Sequence, residues 1–513
     1  MPQSVLVYID IDHIQEYIFG SNDLAQNVGA SELVRQATGD DSGGWLQQIK
    51  TSSDGRIIYA GGGNAALLFD TPDAAQREIR ALTYRALKDA PGMQMAVHTQ
   101  AMTYSAQSND LKDHIEHLRQ ASRERPTAQS MPQLGLSVSA ACPYTAWPVA
   151  GLEETEREPV SRVVLSKRRA TDAGNQRLRT LIGNDARFDF VRRFDDFGTP
   201  DESSYIALIH ADGNGMSERF RAITGSDNET YIQHLRAFSE SINIASDHAL
   251  RATINKLQLS YDEAGLTFGR PGFKARSRRG KTLLPFRPIV FGGDDVTFVA
   301  DGRLGLELAA TYLTELRNAP LLTDQQPLYA CAGVAVAHVH FPFSRVYELA
   351  DELTSQAKSL TKAKNDRSMV GLDWHFSTSG IIEDLERIRQ REYRAENDGN
   401  LLLRPVTLGQ TDTGWRSYET FRYLTDRFKH HESWEGRRNK VKALRQALRE
   451  GADAVSQFRV SYNMDLLPGL DQPPGMAVTG WADISDSEST DLRCGYFDAI
   501  EAMDFFTLLQ PAT

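Results

Sequence analysis

The order of the predicted secondary-structure elements repeats once along the chain, and this repeat constrains the fold more than any other feature. In each series, an apolar strand is followed by a helix, a glycine-containing hairpin, a second helix, a further strand and a third helix. The two series begin at Val5 and at Tyr205. An internal duplication with a period of about 200 residues explains the pattern and predicts two similar α/β units in tandem.

The two hairpins differ at their tips. Gly292-Gly-Asp-Asp295 connects the strands of the second hairpin, whereas Gly61-Gly-Gly-Asn64 connects those of the first. Glycine readily takes the positive φ values that a tight hairpin turn requires. Because Gly, Asp and Asn are common turn residues, each tip taken alone is explained by a polar turn without a ligand. A metal site at the second tip therefore needs ligands from elsewhere in the chain.

The overall composition is that of a globular protein with several domains. The 513 residues exceed the size of one hydrophobic core, so about three or four domains are expected. The 57 basic and 68 acidic residues give a net charge of -11, which argues against a protein that coats nucleic acid but leaves a local basic patch open. Neither a basic leader nor an apolar run of about 18 residues occurs, so we expect no signal peptide and no membrane span.

The cysteines indicate the compartment and bear on zinc. Cys142, Cys331 and Cys494 are too few and too far apart for a disulfide framework or a four-ligand zinc site. This usage is typical of a reducing environment. We therefore expect a cytoplasmic protein.

The chain outside the two series is less regular. The periodicity fades between about residues 134 and 200, where Val163–Arg169 combines strand character with basic charge. The loop 270–281 is basic, and it is predicted to cover nucleotide phosphates, to contact RNA or to be an unstructured surface insertion. After Ser377 the pattern becomes helical, and the segment 437–449 carries six Lys and Arg residues. Such a face is either solvated or docks a partner or nucleic acid.

Three aspartates are predicted to meet in the second unit. Asp212 ends its first strand, and Asp294 and Asp295 tip the hairpin that would lie beside it in an antiparallel sheet. Three neighbouring carboxylates repel each other unless a divalent cation neutralises them, and hard oxygen ligands suit Mg²⁺ or Mn²⁺. Two such ions can activate an attacking hydroxyl and stabilise a departing pyrophosphate.

Four glycines and one lysine extend this pattern. The glycines permit backbone N–H groups to approach phosphate oxygens closely; they are Gly213, Gly215, Gly292 and Gly293. Lys358 lies on a predicted helix over residues 344–362 and offers a cation for a triphosphate. The alternative is that Lys358 is an ordinary exposed helix lysine.

Three motifs together resemble a known family. They are Asp212-Gly-Asn-Gly-Met216, Gly292-Gly-Asp-Asp295 and Ala350-Asp351 followed six residues later by Ala357-Lys358. They resemble the palm domains of the GGDEF and nucleotide-cyclase superfamily. Their Gly-Gly-Asp-Asp form and tandem arrangement resemble the large polymerase-cyclase subunit of type III CRISPR effector complexes, over about residues 3–125 and 203–376. The segment 142–150 is similar to a zinc-binding element of that family, but Cys142 has no nearby cysteine, so no zinc is expected.

The resemblance implies a domain organisation. It predicts an α/β (α+β) fold with two ferredoxin-like palm domains that have antiparallel sheets, at residues 1–130 and 203–377. Residues 131–202 would form a linker or small treble-clef-like segment without zinc, and residues 378–513 a mostly helical domain. Strand residues already begin at Val5, without a His-Asp pair in a helical context, so the family's fused nuclease domain is not expected.

The resemblance also implies roles for individual residues. Asp212, Asp294 and Asp295 would be catalytic and, with the Gly213 carbonyl, would bind Mg²⁺ or Mn²⁺. The implied nucleotide-binding residues are Asn214, Gly215, Gly292, Gly293 and Lys358 in the second palm and Gly61, Gly62, Gly63 and Asn64 in the first. The first palm lacks hairpin acids, although Asp10 and Asp12 end its first strand. It would bind a nucleotide and present the attacking hydroxyl.

The leading hypothesis is a nucleotidyltransferase that joins ATP, or another nucleoside triphosphate, through 3′-hydroxyl attack into a cyclic or linear oligonucleotide messenger in antiphage defence. The alternative is a catalytically silent palm scaffold that binds nucleotide in an RNA-guided complex. A diguanylate cyclase is disfavoured, because the tip lacks the GGDEF glutamate. Partners under these hypotheses are nucleoside triphosphates, RNA, other protein subunits or a second copy of the chain, and no membrane.

Overall fold

The computed structural model describes most of the chain. The described residues are 3–50, 54–124, 139–153, 157–199, 204–363, 366–377, 384–396, 399–409, 415–465, 467, 476–483 and 492–509. The predicted domain boundaries between residues 130 and 131 and between 202 and 203 lie outside them, as does residue 378, where the helical domain is predicted to begin. Within the described residues, no helix is both long and apolar enough to cross a membrane.

The first unit is a four-stranded sheet with helices on it. Its strands are β1 (Ser4–Asp12), β2 (Gly55–Gly61), β3 (Asn64–Phe69) and β4 (Gln94–Met102), and its helices are α1 (Ile14–Phe19), α2 (Leu24–Ala37), α3 (Gln47–Lys50), α4 (Pro72–Asp89) and α5 (Leu111–Glu124). The strand order is β2-β3-β1-β4, and the pairs are antiparallel. The apolar run of β1 therefore occupies the centre of the sheet, with Leu6, Val7 and Ile9 fully buried.

A middle segment follows, and its main element differs from the prediction. It contains β5 (Val149–Leu152), β6 (Pro159–Ser161), α6 (Arg162–Ile182) and β7 (Phe188–Phe190). The strand prediction for Val163–Arg169 is wrong, because these residues begin the 21-residue helix α6. Its apolar periodicity is hard to detect because charged and small residues face α2. At the crossing, a Cβ on Gly29 would lie 1.7 Å from the Lys167 carbonyl oxygen, so glycine is needed there.

The second unit repeats the first sheet and extends it. Its elements are β8 (Tyr205–Gly213), α7 (Met216–Ala222), α8 (Asn228–Leu259), β14 (Phe286–Val290), β15 (Val296–Asp301), α9 (Gly305–Arg317), β16 (Ala330–His338), α10 (Phe343–Ala363) and β17 (Gly371–Ser377), with the insertion described below between α8 and β14. The order β14-β15-β8-β16 matches that of the first sheet, which confirms the fold with two similar sheets. Both hairpins also carry a register shift after the third residue pair of their first strand, at Ile57/Tyr59 and at Pro288/Val290.

One strand of the second sheet departs from the antiparallel pattern. β17 runs parallel to β16, because the connection between them passes through the 21-residue helix α10. Parallel neighbours require such a crossover, whereas a hairpin joins antiparallel ones. This crossover places α10 against β8 and β16 and so brings Lys358 to the edge where β8 ends.

The two units contact each other reciprocally. Phe19 of α1 stacks on Tyr347 of α10 with ring centres 4.0 Å apart. Conversely, α5 packs on the start of α8 in a buried cluster that includes Leu111, Ile115 and Tyr231. The third helix of each series thus packs on the early helices of the other unit.

The basic loop between α8 and β14 forms short strands, so it is not an unstructured insertion. The strands are β9 (Tyr261–Asp262), β10 (Thr267–Phe268), β11 (Phe273–Lys274), β12 (Ser277–Arg278) and β13 (Lys281–Leu284). Phe268 and Phe273 are buried, and β13 pairs with β7 of the middle segment. The insertion is therefore part of the body of the protein.

The C-terminal region is mostly helical, as predicted. It contains α11 (Leu385–Glu392), β18 (Val406–Thr407), α12 (Tyr418–His430), α13 (Arg438–Glu450), α14 (Ala452–Ser461), β19 (Trp481–Asp483), β20 (Leu492–Cys494) and α15 (Phe497–Glu501). The basic helix α13 is not simply solvated. The guanidinium groups of Arg445 and Arg449 lie 5.1 and 5.2 Å from the ring centre of Phe497, and Lys440 lies over Trp434.

Lys167 makes the packing of α6 on α1 testable through pH. Its ammonium is buried, donates to the Tyr17 carbonyl oxygen at 2.5 Å and has no carboxylate within 4.0 Å among the described residues. Burial lowers the pKa of Lys167 from 10.5 to about 8. Between these values the unfolded chain binds the proton more tightly, so stability rises with pH, by up to about 3 kcal/mol relative to Lys167→Met.

Thermal unfolding of both proteins from about pH 7 to about pH 10 measures this difference. The matched control is Lys88→Met, which replaces an exposed lysine and should follow the unmodified protein. An unfolding midpoint of Lys167→Met that runs parallel to that of the unmodified protein across this range would contradict the assignment.

Candidate functional site

The candidate site forms where β8 ends, between its two neighbours in the second sheet. Ala211 lies opposite Val296 of β15, and Asp212 lies opposite Cys331 of β16. The sheet register thus sets Asp212 beside the start of β15, directly after the hairpin tip. The predicted proximity of Asp212 to the hairpin tip therefore follows from this register.

Gly213 brings the tip close to Asp212. A Cβ atom on Gly213 would lie 3.0 Å from the Cβ of Asp294 and 3.4 Å from its Oδ2, closer than side chains normally pack. The absence of a side chain at Gly213 therefore makes room for Asp294. At the tip itself, Gly292 has a φ of 97°, which favours glycine.

Lys358 contacts two oxygen atoms at the end of β8. Its Nζ donates to Asp212 Oδ2 at 2.5 Å and to the Gly213 carbonyl oxygen at 3.1 Å. The alternative that Lys358 is an ordinary exposed helix lysine does not hold, since its side chain is only 22% exposed and is paired with Asp212. An ammonium group therefore bridges two of the oxygen atoms that were predicted to bind a metal ion.

Asp295 faces a histidine that the sequence analysis missed. His210 is buried, and its Nδ1 lies 3.2 Å from Asp295 Oδ1 and 3.1 Å from Thr297 Oγ1. On the other side of the ring, Nε2 lies 3.4 Å from Asp351 Oδ1. The signal was present: His210 is two residues before Asp212 on one strand, so both side chains point to the same face.

The pKa values show how crowded these carboxyl groups are. Burial and the charge of Asp212 raise the pKa of Asp294. Burial raises the pKa of Asp295 to about 6; His210 opposes this, and Asp212 and Asp294 add to it. The Asp295 side chain is 48% exposed, but its Oδ1 is fully buried, so the burial acts on that oxygen. Burial lowers the pKa of His210, but the surrounding carboxylates, Asp295 first, outweigh it and raise the value.

An arginine from the middle segment holds the hairpin tip. Arg177 of α6 donates to the Phe291 carbonyl oxygen at 3.0 Å, and its guanidinium lies 3.9 Å from the centre of the Phe291 ring. A Cβ on Gly292 would lie 2.9 Å from Arg177 Nη2, so the glycine also admits the arginine. Burial lowers the pKa of Arg177 to about 10. The sequence analysis missed this residue because it did not predict α6.

Two of the remaining predicted residues of the second unit contact the segment before β17 rather than the carboxylates. Asn214 is buried, and its Nδ2 donates to the carbonyl oxygens of Met369 at 2.8 Å and Arg367 at 3.2 Å. Gly215 has a φ of 66° and precedes α7, next to the Arg367 side chain. Gly293 has no atom within 4 Å of a hypothetical Cβ, so its backbone is open on that side.

The hairpin of the first unit is a tight glycine turn. Gly61, Gly62 and Gly63 all have positive φ values, and Asn64 lies opposite Asp10 in the sheet. Asp10 Oδ2 accepts a hydrogen bond from Ser122 at 2.9 Å. In the part of the chain that the structure describes, no hydrogen bond or ion pair joins residues 61–64 to the carboxylates of the second unit.

The carboxylates do not form a closed metal-binding set in this conformation. In the described ranges, no group of three or more His, Cys, Asp and Glu side chains is close enough to hold a metal ion. The donor atoms still match a hard divalent cation, because Asp212 Oδ2 and the Gly213 carbonyl oxygen already share one cationic group and Asp294 lies alongside. In the middle segment, the predicted zinc-like element packs the Cys142 side chain against Val160 and Val164.

The turn of the first unit gives a stability test with a matched pair of variants. Gly62 and Gly63 have φ values of 63° and 84°, so alanine at either costs about 1–2 kcal/mol in backbone energy. At Gly62 the added Cβ meets no atom within 4 Å, whereas at Gly63 it would lie 2.2 Å from Cδ1 of Ile14. Gly63→Ala should therefore lower the free energy of unfolding by about 1 kcal/mol more than Gly62→Ala. Equal thermal midpoints would show that the turn is not packed on Ile14.

Known proteins resemble this chain in sequence over one segment and in fold over most of its length. Residues 205–367 match the model of the family described as Cas10/Cmr2, second palm domain. No curated protein matches the chain by sequence. Similar solved structures include the Csm1-Csm4 cassette in its apo form, at 12% identity over 91% of this chain with a TM-score of 0.53. They also include that cassette in complex with cA4, at 12% over 91% with 0.51, and in complex with pppApApA, at 11% over 98% with 0.54.

These structural matches bear on the fold. The chain covers 66%, 66% and 69% of the length of the three matched chains, respectively. At identities of 11–12%, the similarity shows a common fold over nearly the whole of this chain. The segment that matches the second palm domain family contains β8, the hairpin tip and Lys358.

Proposed function

Since residues 205–367 match the family model of the Cas10/Cmr2 second palm domain, we propose that this chain is a metal-dependent nucleotidyltransferase of the nucleotide-cyclase type. Its substrates are nucleoside triphosphates, with ATP as the first choice. The 3′-hydroxyl of one nucleotide attacks the α-phosphate of another, a new phosphodiester bond forms and pyrophosphate leaves. Repetition yields a cyclic or linear oligonucleotide messenger, in an antiphage defence system of the cytoplasm.

The position of Lys358 carries this proposal. An ammonium shared by Asp212 Oδ2 and the Gly213 carbonyl oxygen supports the view that these atoms bind cations. Asp212, Asp294, Asp295 and the Gly213 carbonyl would hold Mg²⁺ or Mn²⁺. Bound there, the ions would neutralise the α-phosphate and the departing pyrophosphate.

The residues of the chain have distinct tasks in this scheme. Lys358 moves from Asp212 to the triphosphate when substrate enters, and so balances the charge of the leaving pyrophosphate. The open backbone of Gly293 approaches the phosphate oxygens. His210 lies beside the buried oxygen of Asp295, and the exposed oxygen of this carboxylate faces the site. Asn214 and Gly215 shape the turn after β8.

The first unit would hold the nucleotide that supplies the attacking hydroxyl. Its turn, Gly61 to Asn64, has no carboxylate, and Gly61 and Gly62 have no atom within 4 Å of a hypothetical Cβ. An open glycine backbone of this kind suits the approach of phosphate. Similar solved structures are complexes with AMPPNP, cA4 and pppApApA, which supports nucleotide binding on this fold.

One observation favours a second candidate function. The described carboxylates do not converge on a metal position, and Lys358 occupies the place between Asp212 and Gly213. A catalytically silent palm scaffold would have this arrangement. The similar structures contain Csm4, so a second subunit is a reasonable partner under either function.

The decisive variant is Asp294→Ala/Asp295→Ala. The purified chain is incubated with each labelled nucleoside triphosphate and Mg²⁺ or Mn²⁺, with and without RNA, and pyrophosphate release is measured. Loss of two of the three proposed carboxylate ligands should lower turnover at least about a hundredfold. The control is Asp73→Ala/Asp453→Ala, which removes two exposed aspartates remote from the site and should leave turnover unchanged.

If the protein binds nucleotide but releases no pyrophosphate under any condition, the enzyme proposal is refuted and the scaffold function is supported. Turnover that persists in Asp294→Ala/Asp295→Ala would place the chemistry elsewhere in the chain. Both comparisons use folded proteins, so they do not depend on the outcome of the stability tests proposed above.

Lys358→Met separates the two roles of the lysine. Without substrate the ammonium competes with a divalent ion for Asp212, so its removal should tighten Mn²⁺ binding in the absence of nucleotide. With substrate the same change removes a phosphate contact and should raise the KM for ATP about tenfold or more. Calorimetric Mn²⁺ titration and steady-state kinetics measure the two effects. Lys362→Met, an exposed lysine one turn along α10, is the control and should change neither.

A further inference from the structure

A cavity of about 810 Å³ lies apart from the carboxylate site. It is bordered by α2, α6, the segment after β7, the insertion strand β12 and the segment between β16 and α10. None of Asp212, Asp294, Asp295 and Lys358 lines it. The cavity is therefore a separate space with its own chemistry.

The wall of the cavity is rich in arginine. It contains Arg168, Arg169, Arg192, Arg193, Arg278 and Arg287, against the four acidic residues Asp23, Glu153, Asp172 and Asp195. Two of these acids, Asp23 and Glu153, form ion pairs with Arg168 at 2.9 and 3.5 Å. The wall thus has an excess of positive charge, and Arg278 brings the basic insertion into it.

Arg287 is the strongest single indication of a ligand. It is 3% exposed, and its Nη1 and Nη2 donate to the Val191 carbonyl oxygen at 3.1 Å and to Asn175 Oδ1 at 2.6 Å. Its Nε is buried without a hydrogen-bond partner, and no carboxylate among the described residues lies within 4.0 Å of the guanidinium. The Asp189 carboxylate acts on Arg287 only from beyond 4.0 Å, and a buried charge without a counter-ion in contact is costly, so an anion in the cavity would offset that cost.

The shape and lining of the cavity narrow the choice of anion. A volume of about 810 Å³ fits a small molecule rather than a long chain. Guanidinium groups bind phosphate through paired, charge-assisted hydrogen bonds. The rings of Tyr144 and Phe341 also line the wall, and aromatic rings stack with nucleobases.

We propose that this cavity is a second ligand site that binds a phosphate-bearing nucleotide of mono- or dinucleotide size. The arginines hold the phosphate groups, with Arg287 at the buried end and Arg169 and Arg278 at the exposed end. The aromatic side chains hold the base. This site is independent of the proposed catalytic centre and needs no divalent ion.

Equilibrium binding of AMP and of the 5′-phosphorylated diadenylate pApA tests the proposal. Calorimetric titrations are made in EDTA, which keeps the metal-dependent site out of the measurement. Arg169→Glu/Arg278→Glu changes two exposed residues of the wall and should weaken binding at least about tenfold. Arg80→Glu/Arg387→Glu makes the same change of charge at two exposed residues outside the cavity and should bind as the unmodified protein does. Asp294→Ala/Asp295→Ala should also retain binding.

Several results would overturn the proposal. They are no binding of AMP or pApA to the unmodified protein, equal loss in both double variants, or inorganic phosphate binding as tightly as AMP. Binding of a single-stranded RNA that depends on Arg169 and Arg278, without binding of AMP or pApA, would instead identify a site for an RNA strand. If Arg169→Glu/Arg278→Glu unfolds at a lower temperature than the control, Tyr144→Ala replaces it. That variant should weaken AMP binding but not phosphate binding, and an unchanged affinity for AMP would refute base stacking at this site.

Discussion

The concentration of negative charge at the end of β8 is the constraint on which the candidate site depends. Asp212, Asp294 and Asp295 approach each other because the sheet register aligns β8 with β15 and because Gly213 has no side chain. Neighbouring carboxylates are tolerated only with positive charge beside them. Lys358 supplies that charge to Asp212, and His210 interacts with Asp295. The parallel crossover through α10 places Lys358 at this edge of the sheet. The topology of the sheet therefore determines which charges meet at the site.

The middle segment is more important to the site than its weak sequence pattern suggests. α6 contacts β14 and the hairpin tip at two points, through Asn175 with Arg287 and through Arg177 with the Phe291 carbonyl. The tip that carries the aspartates is thus held by a helix from outside its own sheet. The same helix borders the arginine-rich cavity, so one element is shared by both proposed ligand sites.

The two units share one sheet architecture but differ at their hairpin tips. The strand order is the same in both, and each hairpin has a bulge after the third residue pair of its first strand. The tips differ, because Gly63 packs against Ile14 in a tight turn, whereas Gly292 makes room for Arg177 and leads into two aspartates. The duplication therefore preserves the backbone while the side chains at the tip set what each unit binds.

The sequence by itself determined the two-sheet fold, the order of the main strands and helices within each unit, and the proximity of Asp212 to Asp294. These features are local patterns of hydrophobic spacing, glycine and charge, and the antiparallel pairing of consecutive strands turns them into neighbours. Only the tertiary structure revealed α6, the arginines Arg177 and Arg287, and the direct contact of Lys358 with the aspartate. These depend on packing between segments more than 100 residues apart, such as Arg177 with Phe291 and Lys358 with Asp212. The periodicity of a single segment cannot predict such contacts, because they depend on how the folded elements pack against each other.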